Sequence, residues 1–410
     1  MSFFYQLPLF GGDLVQLRDL YQKDRIFLLR DALAQPGWTE SETLFYRAVV
    51  ENRFGHESTA VDALQRFLAT HPDPYLGRKA NEELASALAW LARYKDSADA
   101  LTEALRLTPP DDVERGGTDN ARAMFESLSD VSPQTVRFGP EVVFHAKHNG
   151  LGSWNVPLRV NGIAGEWIFD TGANFSTVSE SEAVRMGLAL RDSVTYVKGS
   201  TEKKNPLRLA VVRELRLGSV SVNNVVVLVL PDQALKVGVP KHEIQISGIL
   251  GIPVIRGLGS VKISAQGEVR IQGDHTHAPG DPNMFLDGFD PLVEARHSNH
   301  RLQMFLDTGA NNTNAYPSLR ESLSKDETAE LKETQDRTGG AGGTVTREAE
   351  VLPILRLSIL DQMAGIKKAT FSLEQPSGDK GRRDGVLATD ALTGGFALDF
   401  HAMQLRIEQR

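Results

Sequence analysis

The 410-residue sequence contains no cysteine. That excludes disulfides, thiolate nucleophiles, iron–sulfur clusters and Cys-ligated zinc, although it does not fix the compartment. A long hydrophobic run is missing too: the most apolar stretch, residues 225–230, has the length of a strand. A membrane helix needs about 20 such residues, so no membrane span is expected. Bases are outnumbered 45 to 53 by acids, a formal charge of -8, which excludes a nucleic-acid grip dominated by phosphate contacts. Residues 1–10 are apolar but carry no Lys or Arg and no small-residue cleavage site before Gly11-Gly12, so they give no clear signal peptide. Export of a longer precursor stays open and no localisation is assigned. Zinc-helix, nucleophile-elbow and phosphate-loop motifs are all lacking, and His275-Thr-His277, set among Gly, Pro and Asp, reads as a solvated linker. Neither metal nor cofactor is expected.

The sequence changes character near Val136. Before it the periodicity is helical. Asp13 reads as an N-cap, Leu14, Leu17, Leu20 and Tyr21 recur at helical spacing, and Pro36-Gly37 ends that stretch. Two helix–turn–helix units follow, with Ala60, Leu64, Phe67 and Pro72 of the first matched 37 residues later (97 − 60) by Ser97, Leu101, Ala104 and Pro109. Gly55 and Tyr94 fall at the turns. The pattern resembles a tetratricopeptide-like repeat without its Trp-x-x-Leu-Gly opening; a plain helical bundle fits equally. Residues 109–120 read as a loop before a short helix over 121–128. After Val136 the period approaches two: residues 156–160 alternate into Asn161-Gly162, a tight-hairpin signal, and residues 396–400 and 404–407 read as a closing hairpin.

One pentapeptide occurs twice, Asp170-Thr171-Gly172-Ala173-Asn174 and Asp307-Thr308-Gly309-Ala310-Asn311, 137 residues apart (307 − 170). Each copy has a partner 78 residues on (248 − 170; 385 − 307): Gly248-Ile249-Leu250-Gly251 and Gly385-Val386-Leu387-Ala388. Each also follows an apolar stretch, residues 167–169 and 304–306. A lone Asp-Thr-Gly is commonly a turn. Two copies with shared flanks and one partner spacing point to an internal duplication.

Hydrophobic-hydrophobic-Asp-Thr-Gly-Ala followed by hydrophobic-hydrophobic-Gly resembles the aspartic peptidase superfamily, each half being similar to a retropepsin-like domain and the pair to the bilobed pepsin plan. The resemblance covers roughly residues 140–410. It implies a multidomain α and β protein: a helical, tetratricopeptide-like domain (1–137), then two mostly-β lobes (138–277 and 278–410). It further implies an endopeptidase in which Asp170 and Asp307, one from each lobe of one chain, activate a water without metal or cofactor, so that the catalytic unit is a monomer. Such a pair shares a proton, because two close carboxylates do not both ionise easily; aspartic proteases are the standard illustration of that rule. Within the resemblance, Thr171 and Thr308 bond across to the opposing backbone, and Gly172 and Gly309 let the loops turn. Gly248–Gly251 and residues 385–388 pack beneath the aspartates. Ala173 and Ala310 replace the hydroxyl residue of pepsin-like enzymes and remove a donor to the charged form, which implies a less acidic optimum. Ala388, in place of the last glycine, is strained if its position demands positive φ.

Asn174 and Asn311 are expected to bond within their own loops, and Ser179 with Glu182 to form a capping box for a helix ended by Gly187. Residues 198–205 and 339–343 are candidate flaps, with ordinary hairpin loops as the alternative. His297 and His300 are assigned to a hairpin loop. Substrate is expected to be protein or peptide, and the helical domain is open to presenting substrate, docking a protein partner or shielding the cleft. The competing reading is a non-catalytic partner-binding protein, helices binding a peptide and β lobes serving as scaffold.

Overall fold

The computed structural model describes residues 14–139, 142–193, 195–198, 204–239, 242–273, 280–340, 343–376, 379 and 381–408. Asp13, His275, His277 and parts of both candidate flaps lie outside them.

Seven helices occupy the first part: α1 (Leu14–Gln22), α2 (Ile26–Leu33), α3 (Glu40–Arg53), α4 (Glu57–Leu68), α5 (Pro74–Trp90), α6 (Tyr94–Leu107) and α7 (Arg115–Glu126). The first helical stretch breaks before Pro36-Gly37, at Asp24, whose φ of 52° turns the chain between α1 and α2. Helix α3 starts on a full capping box between Thr39 and Glu42, and α5 on an Asp73 cap followed by Pro74. Gly55 and Ala92, both at positive φ, turn α3 into α4 and α5 into α6. The matched positions Ala60, Leu64, Ser97 and Ala104 are wholly buried. Helix α7 begins at Arg115 rather than Ala121, taking Gly116 and Gly117 into its first turn. Arg115 Nη1 donates to the carbonyls of Leu105 and Thr108, which ties this start to the end of α6.

From Thr135 onward the chain is mostly β. One nine-stranded sheet is built from residues before 251, and one eight-stranded sheet from residues after 283. A five-stranded antiparallel sheet joins the halves in the order Val142–His145, Glu268–Ile271, Ser260–Ser264, Gly395–Asp399, Gln404–Ile407. The hairpin at Asn161-Gly162, both at positive φ, links Trp154–Val160 to Ile163–Phe169 in the register Val160↔Ile163. His297 and His300 pair with each other at strand ends, with His297 buried against Arg356 and Glu327.

The helices do not stand apart from the sheets. Phe27 packs edge-on to Phe285 and Trp90 against Phe289, and the indole of Trp90 donates to the carbonyl of Gly288. Leu209, Val226, Leu228 and Leu230 of the first sheet share this core with the helices. Polar contacts fix the register of docking. Arg25 pairs with Asp384 at 3.0 Å, Arg256 with Glu57 at 2.6 Å, and Asn120 exchanges two hydrogen bonds with the backbone of Tyr196.

At the centre of this contact, Arg53 of α3 is buried among Glu83 (2.8 Å), Asp24 (3.8 Å) and Asp287, the last from strand Met284–Asp287. Burial and the charge of Asp287 push the Asp24 carboxyl up to about 8, so Asp24 is mostly neutral at pH 7. Glu83 and Asp287 remain, with Arg53 the cation in closest contact with both and Arg382 3.9 Å from Asp287. Arg53→Ala strands them, a class of change that costs about 3–5 kcal/mol. Urea denaturation should show a loss of that order, with hydrogen exchange rising in α3 and in Met284–Asp287; a loss under about 1 kcal/mol would contradict this role.

Candidate active site

Each pentapeptide leaves the end of an apolar strand. Ile163–Phe169 delivers Asp170 and His300–Leu306 delivers Asp307. In both halves the strand is paired in parallel with the short partner element, Ile168↔Ile249 and Phe305↔Val386. The same backbone bonds recur at the 137-residue offset. Asp170 N–H donates to Leu250 and Asp307 N–H to Leu387; Ile252 N–H donates to Ala173 and Thr389 N–H to Ala310; Ser179 N–H donates to Ser247 and Tyr316 N–H to Asp384. A hydroxyl also fills one role twice, Ser176 accepting from Gly251 N–H and Thr313 from Ala388 N–H.

The two loops meet through their threonines. Thr171 Oγ1 donates to the Leu306 carbonyl at 2.7 Å and accepts from Thr308 N–H at 3.1 Å. Thr308 Oγ1 donates to the Phe169 carbonyl at 2.9 Å and accepts from Thr171 N–H at 3.0 Å. Both side chains are wholly buried, so these four bonds, rather than solvent, satisfy the polarity of the threonine hydroxyls and N–H groups.

This crossing sets the carboxylates against each other. A Cβ on Gly172 would sit 2.7 Å from the Asp307 carboxyl carbon, and one on Gly309 only 2.4 Å from that of Asp170. Glycine is required at both places because the opposing carboxylate occupies the space, not because of positive φ. Gly172 N–H donates to Asp170 Oδ1 at 2.8 Å, while Gly309 and Ala310 N–H donate to Asp307 Oδ1 at 2.9 and 3.0 Å. Each carboxylate therefore lies against the loop that carries the other. Burial raises both carboxyls above the usual range, Asp170 the further, with the Asp307 charge as the next cause; at Asp307 the backbone donors and Arg383 pull back down. One proton held between them is the low-energy state, and such a pair titrates as a unit.

Beneath the loops, Gly248 lies against the Trp167 indole, 2.4 Å from where a Cβ would stand, and Gly385 against Met304 and the Asn314 carbonyl. Gly251 has no room for a methyl, which would meet the Phe175 backbone at 2.4 Å. Ala388 has φ of -104° and is buried without conformational strain, so its position makes no demand for positive φ. Where the first half continues Ile252-Pro253, the second uses Thr389 and Asp390. Thr389 Oγ1 donates to the Ala310 carbonyl, and Asp390 accepts from Thr313 N–H and hydroxyl at 2.9 and 2.6 Å.

Several neighbours differ from expectation. Asn311 Nδ2 donates to the Leu151 carbonyl of the other half at 2.8 Å, a cross-lobe bond rather than a local one; Asn174 is exposed. Ser153 Oγ donates to the Gly309 carbonyl, a contact that nothing in the sequence marks. The capping box at Ser179 is half made: its hydroxyl accepts from Glu182 N–H, but Glu182 instead accepts from Arg185 and the Trp167 indole. The hairpin Tyr196–Lys198/Lys204–Pro206 is fastened to α7 through Asn120, whereas strands Lys332–Gly340 and Gly343–Ile359 reach toward Gly238 of the first half. Among the described residues no group of three or more His, Asp or Glu is arranged to hold a metal, and no helix is long and apolar enough to cross a membrane.

Residues 156–254 match the family model described as aspartyl protease. The matched segment takes in Asp170 and Gly248–Gly251 and stops short of Asp307. Among solved structures, a retropepsin-like aspartic protease from Rickettsia conorii is similar at 18% identity over 34% of this chain and 95% of that one, with a TM-score of 0.25. No curated protein matches.

Thr171→Val keeps the shape but leaves Thr308 N–H and the Leu306 carbonyl unpaired in a buried site. The expected destabilisation is about 2–4 kcal/mol by chemical denaturation, and an exposed threonine such as Thr135 changed to Val should cost far less. Equal small losses would contradict the crossed-bond geometry.

Proposed function

We propose that this protein is an aspartic endopeptidase whose catalytic pair, Asp170 and Asp307, comes from two lobes (138–277 and 278–410) of one chain. The observation that carries the reading is the joint placement of both Asp-Thr-Gly loops: threonines crossed, each carboxylate set against the other loop's glycine, donors turned onto each carboxylate. The lobes are read as an internal duplication, supported by the repeated backbone bonds, and residues 1–137 as a tetratricopeptide-like region.

In the proposed mechanism the ionised member of the pair takes a proton from a water held between the carboxyls as that water attacks the scissile carbonyl. The protonated member donates to the carbonyl oxygen as it gains charge. The tetrahedral intermediate collapses with a proton returned to the leaving amine, and the pair ends with the one proton it began with. No covalent enzyme intermediate forms. Ala173 and Ala310 offer only backbone N–H groups where a hydroxyl would add a further donor to the charged form.

Peptide-library cleavage by the wild type, Asp170→Ala and Asp307→Ala tests this. Cleavage by the wild type, and loss of at least about a thousandfold in kcat/KM in each variant, is expected. Activity surviving in either variant would overturn the shared pair, and no wild-type cleavage across a broad pH range would favour the partner-binding alternative. The pH profile should be bell-shaped. Both carboxyls are raised, so the acid and alkaline limbs, the first and second ionisations of the pair, both lie above an ordinary carboxylate's range. Ala310→Ser, by adding a donor to the charged form, should lower the acid limb by roughly half to one pH unit.

A further inference from the structure

The two halves are alike in backbone but not in charge. At the 137-residue offset, Arg383 and Asp290 of the second half correspond to Ile246 and Ser153 of the first. Arg383 immediately precedes Asp384 and the Gly385 element, and its guanidinium lies 4.4 Å over the ring of Phe305, two residues ahead of Asp307 on the same strand. Its side chain is 22% exposed and is held by Asp290 and, at 3.8 Å, by Asp379. Stacking on Phe305 and two anchoring acids fix the cation against the strand that delivers Asp307, and the neutral Ile246 holds the matching sequence position in the first half.

We propose that Arg383 is a positioning residue that makes the carboxylate pair unequal, stabilising the negative charge on Asp307 and leaving Asp170 to keep the proton. The assignment rests on the hydrolytic reading above and goes beyond it in giving the two aspartates fixed roles. The charges that face each group agree with it. Arg383 is the cation acting on Asp307, and Asp307 is the charged group acting on Asp170. Asp290 works against Arg383: it is itself raised by burial, and the Asp287 and Asp307 charges add to that. Asp287 and Asp379 also face Arg383, as does the Tyr316 hydroxyl; Asp287 is matched by Arg53 and Arg382. At Asp307 burial and the backbone N–H donors act first, and on top of them Arg383, partly offset by its nearest anion Asp290, is the cation among the described residues that favours the charge. Removing either should move Asp307 in opposite directions.

The test is the pH dependence of kcat/KM for the full chain and its Arg383→Gln, Arg383→Lys and Asp290→Asn variants on one peptide substrate. Arg383→Gln should raise the acid limb by roughly 0.5–1.5 pH units, Arg383→Lys should stay within a few tenths of the wild type, and Asp290→Asn should lower it. A purely structural role would lower activity in all three without opposed shifts of the limb. Arg383→Gln also strands Asp290 and Asp379. If it does not fold, Asp290→Asn and Arg383→Lys decide, and an acid limb unmoved by Asp290→Asn overturns the proposal. Carbon-13 NMR titration of aspartate carboxyls in the same proteins separates the two readings. If the wild type cleaves nothing, the hydrolase reading fails, but the Asp307 titration must still move up in Arg383→Gln; if it does not, Arg383 has no such role.

Discussion

Two buried threonine hydroxyls, each bonded to the backbone of the opposite loop, are the constraint on which the site depends. Buried polar groups must be paired, and here, among the described residues, the partners are on the other half of the molecule. Once the loops are crossed, the rest follows. The carboxylate of each half falls where the other's glycine would carry a Cβ, so any side chain at 172 or 309 is excluded. The carboxylates then lie too close and too buried for both to ionise, and backbone N–H groups are the donors that remain to hold the single charge.

The helical region is part of this construction. It shares a hydrophobic core with the outer face of the first sheet and closes on the second half through Arg53, Asp24 and Asp287. Arg25 reaches Asp384, the residue ahead of the Gly385 element, and Asp384 in turn accepts from the backbone of Gln303 on the strand leading to Asp307. The strand that delivers one aspartate is thus braced from the helices, and the hairpin of the first half that includes Tyr196 is fastened to α7. A detachable adaptor would not be expected to bury charge in its joint with the sheets.

What the sequence discloses is local and periodic. The two Asp-Thr-Gly-Ala-Asn loops, their partner elements and the Asn161-Gly162 hairpin were legible because each is written in adjacent residues. The break between α1 and α2 was not, because Asp24 adopts a left-handed turn that its residue type only weakly favours; nor was the early start of α7, since glycines in a first turn cost less when Arg115 anchors the helix. The condition attached to Ala388 is not met, because its φ of -104° lies outside the left-handed region. Contacts between halves, such as Asn311 to Leu151, Ser153 to Gly309 and Arg383 over Phe305, join residues far apart in sequence and leave no pattern in either segment. The flanking residues differ: Asp390 accepts from Thr313 in the second half, where the first half has Pro253.

Whether both carboxylates act from a single chain is settled most directly by mixing two inactive proteins. Asp170→Asn and Asp307→Asn, purified separately and combined in all ratios, are to be assayed beside the wild type after conditions that allow any subunits to exchange. A pair formed within one chain predicts that no mixture recovers activity. Recovery on mixing would mean that the lobes pair between chains, and would contradict the account.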